Sequence, residues 1–486
     1  MGISHGVNAS KKPASVSAPV VAGSGIHFIV GTAPVHSASG RVNEPVMAYT
    51  YAEAVEAMGY SDDWEKYSIC EEIYTAFKLY CIAPVVMVNV LDPSKHVSEE
   101  TAKDYTMAAG TINLPFEAIA DTVTVKGYND GQPASEAYVQ DTDYGLLYTD
   151  GALRLERIEG GKITADNTKL NISFKSIDPS KVTKSDIIGG YDTNKKKNTG
   201  FEVLEDVFPK YRIIPDLLLT PGFSGDSEVA AVMAAKAENI NGLFKGKALV
   251  DIDTSEVRQY TDVPEWKNSH NITQPSQIAG WPMFTLGGRL FHHSTQLAAR
   301  ITATDTDESF GDGCPCESAS NKTLQADGMA LADGTEVLLN IMQANYLNEN
   351  GIVTGLNFTN GFVSWGNETA CYPGNTDVTD YFYNVSRMFG WVGNTVILST
   401  WGKTDRRMAR RLFESITDSL NIWLNGLTSE EKILGGRVEF TEEENPETEL
   451  AAGTAHFHIY LTPPSPAKEL DFVLEYSVGY LENLFA

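Results

Sequence analysis

Residues able to do chemistry occur at several points in the chain, and their spacing decides what each can do. His292 and His293 come first, because a neutral imidazole is the commonest metal ligand. Adjacent residues on a helix point to different sides, and no second ligand pair is spaced to join them, so a packed or solvated pair is expected. Cys314-Pro315-Cys316 lies near Asp305, Asp307 and Asp312 and offers soft and hard ligands together. It fits neither the C-x-x-C spacing of a zinc site nor the EF-hand pattern, and a plain surface loop is expected there. Gly222-Phe223-Ser224-Gly225-Asp226 lacks the final glycine of a G-x-S-x-G nucleophile elbow. Neither a G-x-x-x-x-G-K-[ST] loop nor a G-x-G-x-x-G turn after a strand occurs. The sequons at Asn357 and Asn367 need a secretory context that the sequence MGISHGVNASKKPAS, with no apolar stretch, does not provide. No catalytic, cofactor-binding or metal-binding residue is assigned, and the chain is not expected to be an enzyme.

Bulk composition narrows the classes further. The chain has 486 residues, 42% hydrophobic and 21% charged, which is ordinary for a folded protein of two to four domains. Its formal charge of -27 excludes a general nucleic-acid binder, since phosphate contacts require a basic surface. The longest apolar run, residues 81–88, contains Pro84 and is far short of the roughly 20 residues a membrane helix needs, so no membrane insertion is expected. The 5 cysteines are sparse and odd in number, unlike a disulfide framework, and suit synthesis in a reducing compartment.

Against this acidic background Lys403, Arg406, Arg407, Arg410 and Arg411 stand out. They form either a solvated helix face, with i,i+4 pairs such as Arg410 and Glu414 contributing about 0.2–0.5 kcal/mol each, or a basic ridge for an acidic partner. Near the end, Leu470, Phe472, Leu474, Tyr476, Val478 and Tyr480 alternate along LDFVLEYSVGYL and predict a strand with one apolar face. Unpaired, such a strand is a template for another chain.

The elements that position these groups follow from hydrophobic period and breakers. An extended arm over 1–24 precedes a strand at 25–34, helices at 51–58 and 69–80 and a buried strand at 85–90, the order of an α/β layer. Residues 116–190 change to short alternating runs separated by NDG, TDG and EGG turns, which predict an inserted all-β domain facing outward. A strand at 217–220, a helix at 229–241 led by Asp226, and a strand at 248–252 make a right-handed βαβ unit. Segments 274–303 and 334–348 read as helices, and 351–360 and 395–399 as strands. Asp405 is expected to cap a helix with Met408, Leu412, Ile416, Leu420, Trp423, Leu424 and Leu427 on one stripe. Strands at 437–441 and 456–460 follow the Gly435-Gly436 turn. The fold class expected is an α/β (α+β) core of mixed sheet and helices with an inserted all-β domain and extended N- and C-terminal arms. Its divisions are 1–24 (arm), 25–115 and 191–360 (body), 116–190 (insertion), 361–467 (C-terminal core domain) and 468–486 (arm strand).

Taken in order, the arm, GTAP and EPVMAYTYAEAVEAMG, then YRIIPDLLLTPGF, GFVSWGNETA, KTDRRMARRLFESITDSLNIWLNGL, LGGRVEFTEEEN and LTPPSPAKELDFVLEYSVGYLENL resemble the tail sheath proteins of contractile phages and injection particles. The resemblance covers both ends and the central α/β part; CIAPVVMVNV departs from the glycine-rich turn of many members, and 116–190 does not align. It implies a structural subunit polymerised as stacked six-membered rings around an inner tail tube protein, with baseplate and tail terminator proteins at the ends. It also implies terminal arms paired with neighbouring copies, contraction that drives the tube through a target envelope, and a place in a virion tail or extracellular particle assembled in the bacterial host cytoplasm. By the same resemblance Lys403, Arg406, Arg407, Arg410 and Arg411 would face the tube. The alternative is a secreted self-assembling surface-array protein, for which a signal peptide would be expected; a tail-tube protein would be shorter and mostly β.

Overall fold

The computed structural model describes residues 19–38, 41–129, 132–149, 151–359 and 361–484, so most of the 1–24 arm lies outside the described residues. The run HFIVG forms β1 (His27–Gly31), buried throughout. After β2 (Val46–Ala48), helix α1 (Tyr51–Met58) begins where the Thr50 hydroxyl accepts the Glu53 N–H (3.2 Å). It stops at Gly59, whose φ of 75° is the left-handed conformation that spares glycine a Cβ clash. Helix α2 (Ser68–Tyr74) runs on as a π-helical turn to Tyr80, and β3 (Val85–Asn89) follows, fully buried and parallel to β1. The expected strand, helix, helix, strand order is therefore present.

Seven antiparallel strands come next: β4 (Val97–Thr106), β5 (Thr111–Pro115), β6 (Thr124–Asn129), β7 (Gln132–Ala137), β8 (Tyr144–Thr149), β9 (Ala152–Arg157) and β10 (Lys169–Ile177). They make two sheets, β4-β10-β6-β7 and β5-β9-β8, around a separate cluster that includes Ile112, Leu114, Leu153, Leu155, Leu170 and Ile172. The β structure begins at Val97, ahead of residue 116, because β4 (VSEETAKDYT) is an exposed edge strand with no apolar alternation to announce it. Phe116 packs against His36 of the body (centroids 5.3 Å apart) and Tyr148 (6.0 Å), and Lys66 bridges to Glu117 (3.0 Å). These contacts fix the β strands to the body.

The chain then passes through α3 (Lys184–Ile188), the hairpin β11 (Gly190–Asp192) and β12 (Lys197–Thr199), and α4 (Leu204–Tyr211). Strand β13 (Leu217–Leu219) leads to α5 (Ser227–Glu238), capped by the Asp226 carboxylate, and to β14 (Lys247–Asp251), parallel to β13 as expected. After α6 (Val263–Ser269) the expected helix over 274–303 is corrected. It is three strands, β15 (Gln277–Gly280), β16 (Met283–Leu286) and β17 (Arg289–Phe291), and only then α7 (His293–Thr306). Trp281-Pro282 and Gly287-Gly288 break the segment, and its continuous apolar character reflects burial on both faces of a central strand. Strand β18 (Gly328–Ala330) joins β16, and the expected helix over 334–348 shrinks to α8 (Ile341–Asn348), started by an Asn340/Gln343 capping box. Strands β19 (Ile352–Asn357) and β20 (Phe362–Trp365) complete an eight-stranded sheet, β2-β3-β1-β13-β14-β15-β19-β20, parallel except at its two edges.

Gly280 sits where a Cβ would overlap the buried His293 ring, which is held by its Nδ1 contact to the Pro282 carbonyl (3.0 Å). Gly280→Ala is expected to destabilise the subunit by about 1–3 kcal/mol, the usual cost of overpacking, read as a lowered denaturant midpoint with unchanged slope.

Past α9 (Val378–Tyr381), the expected strand at 395–399 is corrected: TVILS is the last part of helix α10 (Tyr383–Thr400). The residues Met388, Trp391, Val392 and Thr395 are buried at helical spacing, and that longer period overrides the local β propensity. Helix α11 (Arg410–Ser429), strand β21 (Gly435–Glu439), α12 (Glu447–Ala451) and strand β22 (His458–Thr462) form the C-terminal part.

Candidate assembly surface

Helix α11 buries Ile416, Leu420, Leu424 and Leu427, with Leu412 and Trp423 half-buried; Trp423 meets Trp391 of α10 at 5.5 Å. Phe413 stacks on Phe440 (4.4 Å), which seats the β21–β22 hairpin on the helix. The stripe thus stands from Leu412 onward, but the helix start is corrected. Asp405 lies in a left-handed loop conformation, the cap position is Ala409 with no side-chain bond, and Met408 is exposed ahead of the helix. Arg406 and Arg407 are therefore loop residues, Arg410 and Arg411 occupy the first turn, and Lys403 reaches back to the Ser415 hydroxyl (3.2 Å). Burial and the neighbouring Arg406 charge lower the Lys403 ammonium pKa. Arg410 pairs with Glu414 (2.6 Å); among the described residues Arg406, Arg407 and Arg411 make no ion pair within 4.0 Å. Cations at an uncapped helix N-terminus oppose the helix dipole, so their placement is unfavourable for the isolated chain.

The β21–β22 hairpin is a two-stranded sheet with its two outer edges treated differently. At β21 the Asn421 carboxamide accepts the Val438 N–H (2.8 Å) and donates to the Val438 carbonyl (3.0 Å), closing that edge. Since Val438 is opposite Ile459, the exchanging pairs are Arg437–Tyr460 and Glu439–His458. The backbone groups of Ile459 and Leu461 then point away from β21, along an edge no other strand covers among the described residues.

Beyond β22 the chain is anchored last at Lys468, whose Nζ meets the buried Glu368 carboxylate at 2.6 Å. From there Leu470, Phe472, Leu474 and Tyr476 stand 71%, 80%, 96% and 76% exposed. Residues 463–477 have no regular structure, and 478–484 form a 3₁₀ turn, so Val478 and Tyr480 are not in a strand in the isolated chain. The alternating segment has no partner strand within its own subunit among the described residues.

One further group was not legible as a site. Arg387, the single charge in α10, is buried and binds Asp305 (2.5 Å) and Asp216 (2.8 Å). Ser24 donates to Asp305 (2.6 Å), Ile26 N–H to Asp216 (2.7 Å), and Trp391 Nε1–H to the Ala22 carbonyl (2.8 Å). The root of the N-terminal segment is thus fastened to α7, α10 and the strand ends. A lone Arg among YNVSRMFGW was the available signal. Asp305, Cys314 and Cys316 are buried here, which corrects the surface-loop expectation; Asp307 and Asp312 do remain exposed. His292 and His293 are a packed pair: Nδ1 of His292 lies 2.6 Å from Glu71, and although burial alone lowers its pKa, the Glu71 carboxylate lifts it to about 9. Burial pulls His293 down to about 4 and keeps it neutral. No group of three or more His, Cys, Asp or Glu is disposed to hold a metal, and no helix is long and apolar enough to cross a membrane, among the described residues.

No protein-family model matches the chain. Among curated proteins it is 26% identical to the tail sheath protein of Burkholderia phage BcepMu, over 99% of this chain and 98% of the relative. It is 25% identical to the tail sheath protein of Escherichia phage P2, over 68% of this chain and 77% of that one. In fold it is similar to the sheath of an extracellular contractile injection system in its contracted state (TM-score 0.58, 11% identity, 99% of each chain). It is also similar to the crystal structure of a sheath tail protein from Desulfitobacterium hafniense (TM-score 0.51, 12% identity, 90% of this chain and 93% of that one). Over nearly its whole length the chain is thus similar in sequence to a tail sheath protein, and it shares its fold with solved sheath proteins.

Proposed function

We propose that this chain is the structural subunit of a contractile sheath that polymerises as stacked six-membered rings around an inner tube and contracts to drive the tube through a target envelope. The observation that carries this reading is the C-terminal segment: an apolar, alternating stretch held off the body at Lys468 and left in water. Such a segment is stable only when another chain covers it, and the open β22 edge of a second copy offers both the backbone partners and an apolar flank. Leu470, Phe472, Leu474 and Tyr476 would face inward there, with Val478 and Tyr480 joining them once the terminal turn extends. Baseplate and terminator proteins would take the same contacts at the two ends, and assembly would take place in the host cytoplasm. The β strands around 116–190 would face outward, away from the tube.

Lys403, Arg406, Arg407, Arg410 and Arg411 are read as the tube contact. Each exposed pair is worth only about 0.2–1 kcal/mol, so a single change should do little, while repetition around rings makes the sum matter. Arg406→Glu with Arg410→Glu should leave the fold intact and shift particles from extended and tube-filled to empty or contracted, as raised salt should for the parent. Micrographs of the double variant give the fraction directly. An unchanged fraction at low and high salt would place the tube contact elsewhere.

A further inference from the structure

We infer that the face formed by α8 and the β19–β20 turn is a contact between copies of this chain, separate from the C-terminal segment and resting on the reading of the chain as a polymerising subunit. Ile341, Met342 and Phe358 are 40%, 78% and 72% exposed. The inner side of α8 is already used, Ala344 clustering with Leu356 and Val363 beneath it. Only three residues join α8 to β19, so the two elements run antiparallel, and the start of α8 lies beside the far end of β19, where Phe358 follows. Ile341, Met342 and Phe358 thus make one exposed apolar cluster at this end of the layer.

Charge identifies the occupant. The chain carries -27, and two copies repel wherever their acidic surfaces meet. Residues 337–367 contain one charged side chain, Glu349, in a chain that is 21% charged. The rim is amide: Asn340, Asn345 and Asn357, with Asn345 accepting the Trp365 indole N–H (2.9 Å). An apolar centre holding Met and Phe and an amide rim, with Glu336 and Glu349 as the nearest exposed charges in sequence, keep repulsion low against a second equally acidic copy. A basic partner would instead be served by any of the acidic surfaces.

The test is Met342→Glu with Phe358→Glu in the full chain, both outward-facing, so circular dichroism and the melting curve should match the parent. The concentration at which subunits form cylinders should rise by roughly tenfold or more, as for loss of a central interface cluster. Hydrogen exchange of the parent should show 341–348 and 357–359 protected in cylinders relative to free subunits. Unchanged assembly by the double variant, or cylinders with α8 unprotected, overturns the contact alone. Protection only when tube or baseplate is present gives the face to another occupant and also overturns it. A parent chain that never polymerises takes the subunit reading down together with this contact.

Discussion

A subunit lacking residues 471–486 is expected to fold, stay soluble and form no sheath. Among the described residues none after Lys468 contributes to a buried cluster of the body, and the Lys468 anchor to Glu368 survives the deletion, so the change in folding free energy should be within about 0.5 kcal/mol. The assembly effect is far larger. An added strand brings several ladder hydrogen bonds, each worth about 0.5–1.5 kcal/mol, and buries large apolar side chains at about 1.5–3 kcal/mol each. Even a fraction of that sum is orders of magnitude in the affinity of each contact, since every 1.4 kcal/mol is about tenfold. Sedimentation and electron microscopy of the truncated protein check this. Cylinders of ordinary length from the truncated chain would mean that the joint between copies lies elsewhere.

The second large effect is on folding. Arg387→Met should cost about 3–5 kcal/mol, because it leaves the buried Asp305 and the partly buried Asp216 carboxylates without their cation. Burial already raises the Asp305 pKa, opposed by the Arg387 charge, and in the variant that opposition is gone. A carboxyl whose folded pKa lies above its unfolded value contributes stability that is fully present below the unfolded pKa and lost as pH rises through the folded one. The variant's deficit should therefore shrink on going from neutral to acidic pH, measured by denaturant unfolding at each pH. A second change, Asp305→Asn, should recover part of the loss at neutral pH. A deficit that is flat with pH would show that packing, not charge, accounts for the effect.

The fold's outline was legible wherever one period governed a segment. Tyr51–Met58 was readable from its spacing and Gly59, and α5 from its cap at Asp226. The misreadings came where tertiary burial erased the period. Gln277–Gly280 is buried on both faces and looks like any apolar run, and TVILS has strand composition inside a helix whose register is fixed by Trp391 and Met388 one and two turns earlier. The basic cluster was visible as composition, but its division between loop and helix depended on Ala409 taking the cap position instead of Asp405. The Arg387 cluster joins residues 24, 216, 305 and 387, contacts that no local pattern encodes. The Asn421 clamp on Val438 was hidden for the same reason, since an Asn on a helix says nothing about which strand edge it will meet.

The central claim is that this chain builds a sheath, and imaging the purified full-length subunit by negative-stain electron microscopy at rising concentration tests it most directly. The account predicts hollow, striated cylinders with six-fold end views, lost on removal of residues 471–486. A population that remains uniformly monomeric at high concentration, or assembles into flat lattices in place of cylinders, would contradict it.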